Sequence, residues 1–305
     1  MRVVAALGGN ALLRRGDVPE AEIQEHHTVA AVAALAAIAS AHDLVVTHGN
    51  GPQVGMLAVE SASDSALPHP FPLDVLVAQT QGMIGYFLLQ ALENALPGRQ
   101  IVSLVCQTLV RADDPALANP TKFVGRDYDE QEARRLSIQH GWQVRADGDS
   151  WRRVVGSPEP QEIVELATVK GLLAAGAVVV CSGGGGVPVC RDGDAQLRGI
   201  EAVVDKDLTS ALLAENIGAD ALLLLTDVPA VETGFGSDHA KPIGKTSVSE
   251  LKAQTLPAGS MGPKVDAACR FVAGTGKPAM IGLLDRAPQL LAGTEGTLIE
   301  PEPDT

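Results

Sequence analysis

Six short runs of Val, Leu, Ile and Ala, at residues 3–7, 44–47, 101–105, 177–181, 221–225 and 279–283, carry almost no polar residue. A strand with one wet face alternates polar and apolar side chains, so a run that is apolar throughout must be covered on both faces. Segments of helical character lie between these runs, at 20–40, 74–95, 161–174, 207–216 and 263–273. Alternation of buried strand and helix predicts an α/β fold: a mostly parallel sheet with helices packed on both sides. Ser247 followed by Glu250 has the spacing of a capping box and predicts one further short helix.

The rhythm breaks between residues 112 and 160, a polar stretch that holds Pro115, Pro120, Pro158 and Pro160 and both tryptophans, Trp142 and Trp151. We read it as a small inserted subdomain. With 305 residues and 46% hydrophobic content the chain can fill one large core, and we treat 1–305 as a single domain. A soft division falls near residue 200, in the run 198–204, between an N-terminal and a C-terminal lobe.

A net charge of −14 would repel a phosphate backbone, so nucleic acid is not an expected partner. An anionic ligand would need cations and backbone N–H groups gathered locally against that charge. The cysteines, Cys106, Cys181, Cys190 and Cys269, have no C-x-x-C spacing and read as small buried hydrophobes rather than metal ligands. The chain opens on a strand-like run without a basic leader, and its apolar stretches are shorter than a bilayer span. No membrane partner and a cytoplasmic location are therefore expected.

Three apolar runs end in glycine-rich turns: Gly8-Gly9-Asn10, Gly49-Asn50-Gly51 and Gly183 through Gly186. Glycine lets backbone N–H groups approach an anion without Cβ interference. Any one turn alone reads more readily as a tight strand-to-helix connection. Three of them at strand ends, where parallel sheets bind ligands, favour a phosphate site. Against 15 arginines the chain has only 8 lysines. Lys122, Lys206 and Lys264 stand in Asn-Pro-Thr-Lys, Asp-Lys-Asp and Gly-Ser-Met-Gly-Pro-Lys contexts. Each alone would be an ordinary solvated lysine; beside the glycines they are candidate phosphate contacts. G-x-x-x-x-G-K-[ST], the protein-kinase motifs and a clear dinucleotide fingerprint are missing.

Taken in order, the string His48 through Gly55 (HGNGPQVG), Asn119 through Lys122, Arg152 through Pro158, Gly199 through Asp207, Leu225 through Val228 and Gly259 through Lys264 resemble the carbamate-kinase signatures of the amino-acid-kinase family. The resemblance covers nearly the whole chain. It implies a three-layer α/β/α sandwich, a homodimer, and reversible phosphate transfer between ATP and carbamate, giving ADP and carbamoyl phosphate, with Mg²⁺. It further implies that residues 1–200 form the acceptor lobe, with the insert 112–160 as its lid, and that 201–305 form the nucleotide lobe. Gly8, Gly9, Asn10, Gly49, Asn50 and Gly51 would surround the acceptor. Lys122, Lys206, Asp207 and Lys264 would be catalytic, with Lys122 reaching in from the insert and Asp207 orienting the other lysines. Gly184, Gly185, Lys206, Thr226, Asp227, Val228, Met261 and Lys264 would contact the nucleotide.

The chemistry agrees with that assignment. Carbamate already carries an anionic oxygen, so its activation needs no general base, and His48 reads as a structural hydrogen-bonding residue. The demand is for cations and amides around the transferred group. Mg²⁺ would be held mostly by phosphates and water, and no protein ligand is named for it. Glu232 stands where the resemblance leads one to expect tyrosine, and Gly262 is smaller than the usual residue. The competing readings are a different carboxylate kinase of the same fold and a nucleotide-binding regulator without turnover.

Overall fold

All six apolar runs become strands of one eight-stranded sheet in the computed structural model, which describes residues 1–9, 12–13, 17–18, 20–234, 239–254 and 261–302. Across the sheet the order is Lys245–Ser247, Thr297–Glu300, Ala279–Leu283, Ala221–Thr226, Arg2–Leu7, Asp43–His48, Val178–Val180 and Ile101–Ser103. Ala279–Leu283 and Thr297–Glu300 run antiparallel; the other neighbours are parallel.

Successive strand residues point to opposite faces, so each run feeds two cores. Val4, Ala6, Val45, Leu222 and Leu224 pack on one side against the helices Lys206–Ile217 and Met261–Thr275, through Leu213, Ala214 and Phe271. Val3, Ala5, Leu7, Val46 and Leu223 pack on the other side against Ala21–Ala39 and Leu73–Ala95, through Leu35, Ile38, Leu88 and Leu92. The result is the α/β/α sandwich. Among the described helices, Leu73–Ala95 alone is long and apolar enough to cross a bilayer, and half of its most apolar window is buried. The Ser247–Glu250 capping box forms as its spacing predicts, at the start of Val248–Lys252. Cys106, Cys181 and Cys269 are buried, and Cys190 is partly so.

Two segments depart from the sequence reading. The helix expected over 161–174 begins only at Leu166, because the preceding backbone is captured by a second, four-stranded sheet. There Gln161 N–H donates to the Leu109 carbonyl and the Glu165 carboxylate accepts from Gln107 N–H at 2.7 Å. Conversely, Gly51–Ser63 is a helix that its Gly-Pro opening disguises as a turn. Pro52 stands in the first turn, where its missing N–H would have had no partner anyway.

Within the insert, Lys122–Tyr128, Ser150–Val155 and Val144–Asp147 form a three-stranded antiparallel sheet beside the helix Glu130–His140. Val124, Tyr128, Leu136 and Trp142 share a core with Val54, Ala58, Leu73 and Val77 of the body. Gly55 faces Gly125 across this contact, and a Cβ on Gly55 would stand 1.9 Å from the Gly125 Cα. Backbone cannot yield there as a flexible side chain would. Gly55→Ala should therefore lower stability by about 1–3 kcal/mol, as overpacking does, and shift tryptophan emission as the insert lifts. An unchanged urea midpoint and spectrum would mean that the insert is not seated this closely.

Candidate active site

The three glycine turns meet at the carboxyl edge of the large sheet. Gly8 N–H donates to the Leu225 carbonyl and Gly49 N–H to the Leu7 carbonyl, each at 2.9 Å. A Cβ on Gly49 would lie 2.8 Å from Gly9 N, so these two turns nest main chain to main chain. Likewise a Cβ on Gly183 would lie 2.2 Å from His48 Nε2, and one on Gly184 would lie 2.1 Å from Asn50 Nδ2. Asn50 is buried and donates to Thr80 Oγ1 at 2.9 Å. Gly185 adopts a left-handed φ of +88° against Val204, and its carbonyl accepts from Thr108 and Thr209 hydroxyls. Gly51 differs: nothing lies within 4 Å of where its Cβ would be. Asn10 falls outside the described residues.

His48 is fully buried, and its Nδ1 lies 3.0 Å from the Gly49 carbonyl. Burial drives its pKa down to about 4, with Lys206 pushing the same way and the Gly49 carbonyl opposing. The ring is thus neutral near pH 7, in keeping with a structural hydrogen-bonding role.

Beside the turns lies the cation cluster. Lys206 is the first residue of Lys206–Ile217, and Lys264 sits in the first turn of Met261–Thr275. A cation at a helix N-terminus opposes the helix dipole, and both lysines are buried as well. Between them sits Asp207, 3% exposed, with Oδ1 2.5 Å from Lys206 Nζ and Oδ2 3.1 Å from Lys264 Nζ. Burial lowers the Lys206 pKa, Asp207 opposes that shift and Lys264 adds to it. A hydrogen bond between Thr47 and Ser210, at 2.6 Å, ties this helix to the end of Asp43–His48.

The cap of this helix is Asp205, a residue to which the sequence reading gave no role. Its Oδ1 accepts from the N–H groups of Asp207 and Leu208, and its Oδ2 accepts from Lys122 Nζ at 2.7 Å. Burial alone would raise the Asp205 pKa, but Lys122 and Lys206 hold it well below the usual carboxylate range. The signal was available: an Asp directly before a helix is a capping position. Among the described residues, these pairs thus bring three ammonium groups onto two carboxylates, in a protein of net charge −14.

Thr226 closes Ala221–Thr226 beside Gly8 and bonds to Asp227 at 3.1 Å. Asp227 is exposed and Val228 half-buried at the rim, while Met261 packs on the core one turn before Lys264. Gly259 and Ser260 lie outside the described residues, and Glu232 is half-buried in a two-stranded ribbon with Lys241–Pro242. Buried cations at two helix N-termini, flanked by glycine turns, can hold a polyanion.

Comparison with known proteins agrees. The profile of the amino acid kinase family matches residues 1–282. Carbamate kinase of Rhizobium meliloti (strain 1021) is 50% identical over 302 residues, covering 98% of this chain and 93% of that one. Carbamate kinase from Giardia lamblia bound to citric acid superposes with a TM-score of 0.92 at 38% identity, covering 99% of this chain and 98% of that chain. The same enzyme bound to AMP-PNP gives 0.89 at 37% identity, covering 99% and 98%. This chain belongs to the amino acid kinase family, among its carbamate kinases.

Proposed function

We propose that the protein catalyses reversible phosphoryl transfer between ATP and carbamate, giving ADP and carbamoyl phosphate. The observation that carries this reading is the buried Lys206–Asp207–Lys264 bridge beside three interlocked glycine turns. In the nucleotide-bound enzyme, Lys206 and Lys264 would take the phosphates at the two helix N-termini. Asp207 would keep their ammonium groups apart and aimed. Thr226, Asp227, Val228 and Met261 would line the nucleotide cleft, joined by Gly184 and Gly185. Gly8, Gly9, Asn10, Gly49, Asn50 and Gly51 would hold the acceptor, with Lys122 closing from the insert. The carbamate oxygen attacks as an anion, so the residues have no proton to remove, and a neutral His48 is consistent with that. Catalysis then consists of positioning two anions and balancing the charge that spreads over the transferring group.

Mg²⁺ fits this site as a companion of the nucleotide. Asp205 and Asp207 are engaged by lysines, and among the described residues no group of three His, Cys, Asp or Glu is placed to hold a metal. Such a cation would be carried by phosphate oxygens and water, where it neutralises charge on the phosphates. We place the enzyme in the cytoplasm, a reducing compartment in which its four free thiols would persist.

The homodimer has support in Leu73–Ala95, which buries one face and turns Val75 and Tyr86 to solvent, preceded by exposed Phe71. Exposed apolar side chains along one helix are candidates for an interface. Sedimentation equilibrium should give a dimer that Tyr86→Glu weakens; a wild-type monomer at micromolar concentration would remove the dimer from this proposal.

The direct assay is ATP formation from ADP and carbamoyl phosphate. It should proceed with Mg²⁺ and stop with EDTA. Robust phosphorylation of N-acetylglutamate, aspartate or UMP, with no turnover of carbamoyl phosphate, would overturn the substrate.

Asp207→Asn should cut turnover by on the order of 100-fold or more, as loss of a preorganised electrostatic contact does. The variant should also lose stability, because two buried ammonium groups then face each other without their counter-ion. ADP should restore that loss, raising the melting temperature more in the variant than in the wild type, since its phosphates replace the missing charge. Equal ADP shifts in both proteins would show that the phosphates do not sit on Lys206 and Lys264.

A further inference from the structure

We propose that Glu201 and Asp205 form a latch that holds the insert down on the body, and that Asp205 is a positioning residue for Lys122; the catalytic half of this inference rests on the phosphoryl-transfer reading above. The run from Glu201 to Asp205 grips the insert through alternate residues. Glu201 Oε1 lies 3.1 Å from Arg153 Nη2, Val203 N–H donates to the Gly156 carbonyl at 3.0 Å, and Asp205 Oδ2 accepts from Lys122 Nζ at 2.7 Å. The intervening Ala202 and Val204 are fully buried, and Ala202 bridges to Gly156. Residues 201, 203 and 205 of an extended segment share one side, which is the side that the insert covers.

Both carboxylates work at once on the insert and on a body helix. Glu201 Oε2 accepts from Leu73 N–H, the first residue of Leu73–Ala95, whose Pro72 cap offers no side-chain acceptor. Asp205 Oδ1 caps Lys206–Ile217, the helix that opens with Lys206 and Asp207. Two of the insert's cations, Lys122 and Arg153, are therefore referenced to the N-termini of two body helices, and one of these helices opens with Lys206. The two pairs differ in strength. Glu201 is 56% exposed, so its pair is screened and serves chiefly to orient Arg153, which stacks 4.5 Å from the Trp142 ring centroid. Lys122 and Asp205 are 26% and 16% exposed, so the latch depends mainly on this pair.

Lys122 is thereby aimed at the cluster before any substrate arrives. Its ammonium is bonded to the carboxylate that directly precedes Lys206, so bringing it onto a bound phosphoryl group needs a shift of partner and no search by a free side chain. Loss of the Asp205 charge would leave the helix capped but Lys122 unplaced.

The test uses Asp205→Asn and Asp205→Ser, which keep an N-cap acceptor and remove the charge, with Glu201→Gln as the weaker companion. Hydrogen exchange over residues 122–155 should quicken by about tenfold or more in Asp205→Asn, as a local opening reports lost contacts, and by less in Glu201→Gln. kcat/KM for carbamoyl phosphate should fall by at least about tenfold, with the ADP Kd from calorimetry held within about twofold. Lys122→Ala should cost on the order of 100-fold in the wild type and about tenfold or less in Asp205→Asn, because the two residues act as one unit. Equal costs of Lys122→Ala in the two backgrounds, with insert exchange unchanged, would overturn the proposal and leave Asp205 as a helix cap. If the wild type fails to make ATP from carbamoyl phosphate, the substrate reading falls, and the exchange rates of the Asp205 variants alone decide whether the latch exists.

Discussion

The structure turns on one buried carboxylate. Asp207 touches Lys206 on its own helix and Lys264 on another, so the two helices must present their N-termini to the same point. The sheet supplies that convergence. Lys206–Ile217 and Met261–Thr275 pack side by side over one face, with Leu213, Ala214, Ala268 and Phe271 in the core beneath them. In a parallel sheet the helices that cross over its face return with their N-termini near the carboxyl ends of the strands, where the glycine turns also lie. Fold and charge cluster are thus consequences of the same topology. The arrangement is costly without a ligand, since both lysines are buried at the wrong end of a helix dipole. A bound polyanion would convert that cost into affinity.

The acidic surface sharpens the effect. With a net charge of −14 the protein as a whole repels anions, yet three ammonium groups gather on two carboxylates where the helices begin. Little water reaches Asp207, so screening there is weak and these charges act strongly over a few ångströms.

The layers were legible because runs such as 221–225 and 279–283 have no polar face to offer water, and nothing but burial on both sides suits them. Helix boundaries were less so. Gly51–Ser63 opens with glycine and proline, residues that read as a turn, and only burial of Val54 and Ala58 under the insert makes the segment helical. Glu162–Ile163 was lost inside a helical pattern because its partner strand, Gln107–Leu109, lies more than fifty residues away in sequence. At the site, lysine contexts pointed to Lys122, Lys206 and Lys264, but no local pattern says that Lys122 ends on Asp205, a contact 83 residues long in sequence. Asp205 was hidden behind its neighbour: Asp-Lys-Asp holds two carboxylates, and only the fold shows that one caps the helix while the other bridges lysines.

The glycines carry a second distinction that sequence alone does not. Gly49, Gly183 and Gly184 are demanded by packing, because their missing Cβ positions are already taken by Gly9, His48 and Asn50. Gly51 faces open space and is free of that demand. The three turns are therefore walled by main chain locked against main chain and by two buried, hydrogen-bonded side chains. Such walls resist parting, since every residue in them is held on more than one side. The interlock thus fixes the carboxyl edge of the sheet by packing, whereas Gly51 leaves one position on that edge unconstrained.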